Sequence, residues 1–75
     1  MHLTFADTKI AVMRAVRHGA CDPCAIAETT GIPAESVMGA AACLRGDGEY
    51  PELLCCLDGE PWALTLNGRR LLEVL

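Results

Sequence analysis

A length of 75 residues with 52% hydrophobic residues suits one small domain and excludes a disordered tail. No apolar run approaches the ~20 residues of a membrane-spanning helix, and Met1-His2-Leu3-Thr4 lacks the basic-then-apolar pattern of an export signal, so a cytoplasmic protein is expected. Six basic and ten acidic residues give a formal net charge of −4, which opposes bulk attraction to nucleic acid and leaves any such binding to a local patch.

Thr4 to His18 is predicted to form the first helix, with Phe5, Ile10, Val12, Met13 and Val16 as an apolar stripe and Arg14 and Arg17 off it. Gly19 suits a left-handed stop, and Ala20-Cys21 is a short link. Asp22-Pro23 opens the second helix, because Asp is a preferred cap and Pro is preorganised for the first helical position. Ala25, Ile26 and Ala27 supply its buried side. It ends near Thr30, and Gly31 turns the chain.

The third helix runs from Pro33 or Ala34 to Arg45, with Val37, Ala41 and Leu44 on one face. Gly46-Asp47-Gly48 ends it. Two short helices joined by a tight glycine turn form a helix-turn-helix over about 22–45. The period then changes. Glu52 to Leu57 reads as a strand, Asp58-Gly59-Glu60-Pro61 as a turn, and Trp62 to Leu66 as a second strand with Trp62, Leu64 and Leu66 on one face. Thr65 or Asn67 can cap a last helix over about 67–75.

The aromatic residues are Phe5, Tyr50 and Trp62 alone, so the core must be aliphatic and rich in alanine. Its expected members are Ile10, Met13, Val16, Ile26, Ala27, Val37, Leu44, Leu64 and Leu71. A domain this small hides only about 60% of its unfolded surface. One turn cannot aim Leu71, Leu72, Val74 and Leu75 at a single core. Leu72 and Val74 are therefore expected to be partly exposed, and Leu72, Val74 and Leu75 are the expected contacts of a homodimer.

Three segments in this order resemble the winged helix-turn-helix superfamily. Ile10-Ala11-Val12-Met13-Arg14-Ala15-Val16 looks like the first helix of small bacterial and archaeal regulators. Ile26-Ala27-Glu28-Thr29-Thr30-Gly31-Ile32-Pro33 is similar to their turn, and Trp62-Ala63-Leu64-Thr65-Leu66-Asn67-Gly68-Arg69 to the close of their wing. Ser36-Val37, Leu44 and Gly48 fall on the recognition helix and the glycine after it. The resemblance implies one domain over 1–75, mainly α with a small β-hairpin. A three-helix bundle would carry a wing at about 52–66 and a short C-terminal helix. It also implies a dimeric transcription regulator with its third helix in the major groove of double-stranded DNA. Ser36 and Arg45 would then contact DNA from the third helix, and Arg69 and Arg70 would hold phosphate. In the motif's aromatic-leucine-threonine-glycine order, the aromatic and leucine pin the strand, Thr65 caps the helix, and Gly68 permits close packing.

A second reading starts from departures within this pattern. Thr30 and Ala41 stand where the family has large aliphatic residues. The expected exposed positions of the third helix are Glu35, Ser36, Met38, Gly39 and Ala42, and base-edge reading usually needs Arg, Lys, Asn or Gln. Asp58 and Glu60 make the turn of the hairpin acidic. A bare helix with an adaptable Met suits a protein partner.

Cys21-Asp22-Pro23-Cys24 resembles the thioredoxin motif but lacks the strand and α/β sheet that motif requires. The simplest reading of these cysteines is small packing residues. An odd total of five cysteines, with no export signal, argues for reduced thiols. Cys21 and Cys24 are half of a zinc ligand set. Cys55 and Cys56, being adjacent on a strand, point to opposite faces, so with Cys43 they complete it only under favourable folding. His2 and His18 are read as terminal and helix-end residues. No catalytic constellation, phosphate loop or cofactor motif occurs, so neither enzyme activity nor a cofactor is expected.

Overall fold

A computed structural model describes residues 4–46, 52–55 and 61–75. The first helix, α1 (Phe5–Arg17), begins with a reciprocal cap. The Asp7 N–H donates to Thr4 Oγ1 at 3.1 Å, and the Thr4 N–H donates to the Asp7 carboxylate at 3.3 Å. Thr8, Val12, Met13, Ala15 and Val16 form its inward face. Phe5, placed by the sequence on the apolar stripe, is 54% exposed instead. It lies in the first turn, where its ring meets the Lys9 ammonium at 5.2 Å rather than the core.

The second helix, α2 (Pro23–Thr30), starts as its sequence requires. Asp22 accepts the Ala25 N–H at 2.8 Å, and Pro23 occupies the first turn. Gly31 closes it at φ 75°, in the left-handed region that glycine enters without strain. The Thr30 hydroxyl donates to the Ile26 carbonyl at 2.7 Å and accepts the Ile32 N–H at 3.2 Å. Thr30 thus satisfies the turn at a position where an aliphatic residue could not. The third helix, α3 (Ala34–Leu44), buries Val37, Ala40, Ala41 and Leu44. The three helices pack mutually around Val12, Met13, Ile26 and Val37, all 1% exposed or less.

Beyond them lie β1 (Leu54–Cys55), β2 (Ala63–Leu64) and α4 (Leu66–Val74). The strands pair antiparallel, with Leu54 opposite Leu64 and Cys55 opposite Ala63. The architecture is therefore mainly helical with a small two-stranded hairpin. Both strands are shorter than the sequence predicts. Glu52 and Leu53 precede β1, and Cys56 and Leu57 lie outside the described residues, as do Gly48 and the turn residues Asp58, Gly59 and Glu60.

The second strand stops early because Thr65 turns to cap α4, accepting the Gly68 N–H at 3.1 Å. Leu66, expected on the strand face, is instead the first residue of α4 and is 62% exposed. The Thr65 hydroxyl also donates to the Glu52 carbonyl, and the Thr65 N–H donates to the Leu53 carbonyl at 3.2 Å. Gly68 sits against that same Leu53 carbonyl, so closely that an added Cβ would collide with backbone.

This approach sets the phase of α4. Leu72, four residues after Gly68, lies nearly above it and faces inward at 6% exposure. Leu71, assigned to the core from sequence, is displaced to the flank and is 37% exposed. Ile10 and Ala27 are only partly buried, packing against the rim of the core. Ile32, Ala40 and Leu54 take their place within it.

Gly68→Ala separates helix propensity from packing. An Ala in an open helix would stabilise by about 1 kcal/mol relative to Gly. Collision with a fixed carbonyl costs about 1–3 kcal/mol or more, so the clash wins. Urea denaturation of Gly68→Ala should show a net loss of about 2 kcal/mol. A gain in stability would mean that α4 does not sit on Leu53.

Candidate functional site

Helix α3 turns one face inward, and the remainder follows from its period. Ala34, Glu35, Ser36, Met38, Gly39, Ala42 and Cys43 are exposed. A Cβ built at Gly39 meets nothing within 4 Å, so this face is open. Met38 is 52% exposed and is the only large apolar side chain on it. Arg45 follows directly and is also exposed. The donors available to a nucleic acid here are the Ser36 hydroxyl and the Arg45 guanidinium. The Glu35 carboxylate, in the first turn, repels phosphate.

Of the four DNA contacts expected from sequence, Ser36 and Arg45 belong to this face. Arg69 and Arg70 are exposed on α4, which packs mainly on α1 and β2. Arg69 shares a groove there with Arg17 and Trp62, a grouping that the sequence reading missed. A second, more apolar groove runs between α1 and α2 over Ile10, Ala11 and Ala15, edged by Arg14 and His18. The sequence does not reveal it either, because it assigns Ile10 to the core and gives no role to Ala11 or Ala15.

The expected dimer contacts divide. Val74 is 80% exposed and Leu75 56%, as the sequence reading requires. Leu72 is buried within its own chain, for the reason given above, and offers nothing to a second copy. The exposed apolar residues of this helix and its end are therefore Leu66, Leu71, Val74 and Leu75.

Cys21 and Cys24 flank the start of α2. Both are exposed free thiols rather than the packed residues the sequence suggests. Cys43 is exposed and Cys55 half-buried, also as free thiols. Among the described residues, no group of three or more His, Cys, Asp or Glu side chains could hold a metal ion. Cys56 lies outside them. No described helix is long and apolar enough to cross a membrane.

Comparison of the chain with protein-family models, with curated proteins and with solved structures returns no match.

The inward Leu72 and outward Val74 give a direct check of this geometry. Leu72→Ala should cost about 2–5 kcal/mol of stability, whereas Val74→Ala should change it by less than about 0.5 kcal/mol. Denaturant midpoints measured at low protein concentration, where association does not contribute, distinguish the two. The opposite order would place α4 in another phase.

Proposed function

We propose that the chain is a winged helix domain of a small regulatory protein, and that the open face of α3 meets a protein surface rather than a DNA groove. The winged helix assignment is supported by the element order, three helices then a hairpin then a helix, and by the left-handed Gly31 between α2 and α3. In this reading α2 and α3 are the helix-turn-helix and the β1–β2 hairpin is the wing.

The observation that carries the protein-contact reading is the outward surface of α3. It presents Met38 amid Gly39, Ala42 and Cys43, beside a carboxylate. A major-groove helix needs guanidinium, amide or ammonium groups aimed at base edges. This one offers a hydroxyl along its length and one guanidinium just past its end. The net charge of −4 acts in the same direction. Small side chains let a partner's backbone approach closely, and an unbranched Met adapts to an irregular surface. Loss of a charged rim matters less at such a contact than loss of its apolar centre.

A second reading, binding to double-stranded DNA, is favoured by one feature: Ser36 and Arg45 are exposed on and just beyond the helix that would enter the groove. Phosphate contacts by Arg69 and Arg70 would require the duplex to reach α4 as well. The DNA reading also calls for a homodimer, which would form through the exposed Leu71, Val74 and Leu75 without Leu72, whereas in the protein-contact reading this patch or α3 meets a different chain.

Titration of a random-sequence duplex, read by fluorescence anisotropy at low and moderate salt, separates the readings. The protein-contact reading predicts binding weaker than about 10⁻⁴ M at moderate salt, with a shallow salt dependence. Each real phosphate contact adds about 0.9 to the negative slope of log affinity on log salt. Micromolar binding with a steep slope, flattened in Arg45→Ala, would establish the DNA reading instead.

A further inference from the structure

We propose that the groove between the end of α1, strand β2 and the first turns of α4 binds a small organic carboxylate with an apolar body. The groove has a volume of about 390 Å³, within the range of about 300–1,000 Å³ typical of small-molecule sites. Three elements line it. Helix α1 supplies Val16 and Arg17, the β2 region supplies Trp62 and Leu64, and α4 supplies Arg69 and Glu73.

The chemistry of these groups is specific. The groove lining holds two arginines, Arg17 and Arg69, and one carboxylate residue, Glu73, a formal excess of one positive charge in a chain whose net charge is −4. A guanidinium presents a planar fork of donors that matches a carboxylate. Arg69 lies in the first turn of α4, at the positive end of the helix dipole, whereas Arg17 lies at the negative end of α1. The two helix ends offset one another, so the preference for an anion rests on the guanidiniums. Glu73 opposes a dianion such as phosphate and leaves a monoanion best matched.

Val16 and Leu64 are buried at 8% and 9% exposure, and Trp62 is half-buried beside them. They form an apolar wall for the body of the ligand. The wall is held in place before any ligand arrives. The backbone N–H of Trp62 donates to the Cys21 carbonyl at 2.9 Å, and Leu64 is paired with Leu54 across the hairpin. The groove does not involve α3, so this site stands or falls independently of what α3 contacts.

Trp62 is the only tryptophan in the chain, so its fluorescence reports on the groove alone. The probe is hexanoate, titrated at constant ionic strength beside hexanol and inorganic phosphate. The expected result is a saturable change with hexanoate at a Kd of about 1 mM, the range open to so small a ligand. Hexanol and phosphate should bind at least about tenfold more weakly. Arg17→Gln and Arg69→Gln should each weaken hexanoate binding about tenfold, and Glu73→Gln should tighten it. Both arginines are exposed, and far-UV circular dichroism checks that the variants fold. Arg69→Lys, which keeps the charge and loses the fork, should retain only part of the affinity. No saturable change up to about 50 mM hexanoate would overturn the proposal. So would equal binding of hexanol, tighter binding of phosphate, or unchanged affinity in both arginine variants.

Discussion

The backbone of Leu53 is where the two parts of this fold are joined. Its N–H donates to the Leu44 carbonyl at the end of α3, at 2.8 Å, and its carbonyl accepts the Thr65 N–H at 3.2 Å. The glycine at position 68 then lets the first turn of α4 rest on that carbonyl. The backbone of one residue thus links the third helix, the hairpin and the last helix. This matters because a hairpin of two-residue strands has little stability alone. It persists here because its ends are tied to the helices and because Leu54, fully buried, anchors β1 in their core. Thr65 reinforces the same point from the other side, capping α4 while its hydroxyl reaches the Glu52 carbonyl.

The surface chemistry follows from that junction. With Gly68 turned inward, Leu72 enters the core, and Leu66, Leu71, Val74 and Leu75 remain toward solvent. The same rotation brings Arg69 and Glu73 to the groove beside Arg17 and Trp62. Helix α3 is constrained differently. Val37, Ala40, Ala41 and Leu44 are consumed by contacts with α1 and α2. Its outer face is then whatever the sequence leaves over, which is small residues, Met38 and Glu35. Three of the six basic residues, Lys9, Arg14 and Arg17, lie on α1, and none lies within α3.

Much of the architecture was legible because its signals are local. Asp22-Pro23 caps and starts a helix in any context, Gly31 takes a left-handed φ, and Thr65 with Gly68 encodes a cap and a close approach. The outer face of α3 was legible too, since the buried positions at i, i+4 and i+7 define the rest. What was lost is phase and distance. Leu71 and Leu72 are chemically identical neighbours on one helix, 100° apart. Which of them faces inward depends on tertiary contacts of α4, the approach of Gly68 to Leu53 among them, and these join residues distant in sequence. Leu66 was read as strand because alternation continued through Thr65 while the cap had already begun. Phe5 is apolar and in register, yet the stripe does not reveal that Lys9 will be its partner. The groove of Arg17, Trp62 and Arg69 draws on three elements far apart in the chain, and no spacing rule joins them.

If the Leu53 backbone fastens the hairpin and α4 to the three helices, its amide should open only when the whole domain unfolds. Native-state hydrogen exchange tests this directly. The Leu53 and Thr65 amides should exchange with protection equal to that of the buried α1 amides of Val12 and Met13, near the global unfolding free energy. Exchange of Leu53 and Thr65 many-fold faster than those core amides would contradict the account. It would show that the hairpin and last helix open as a separate unit.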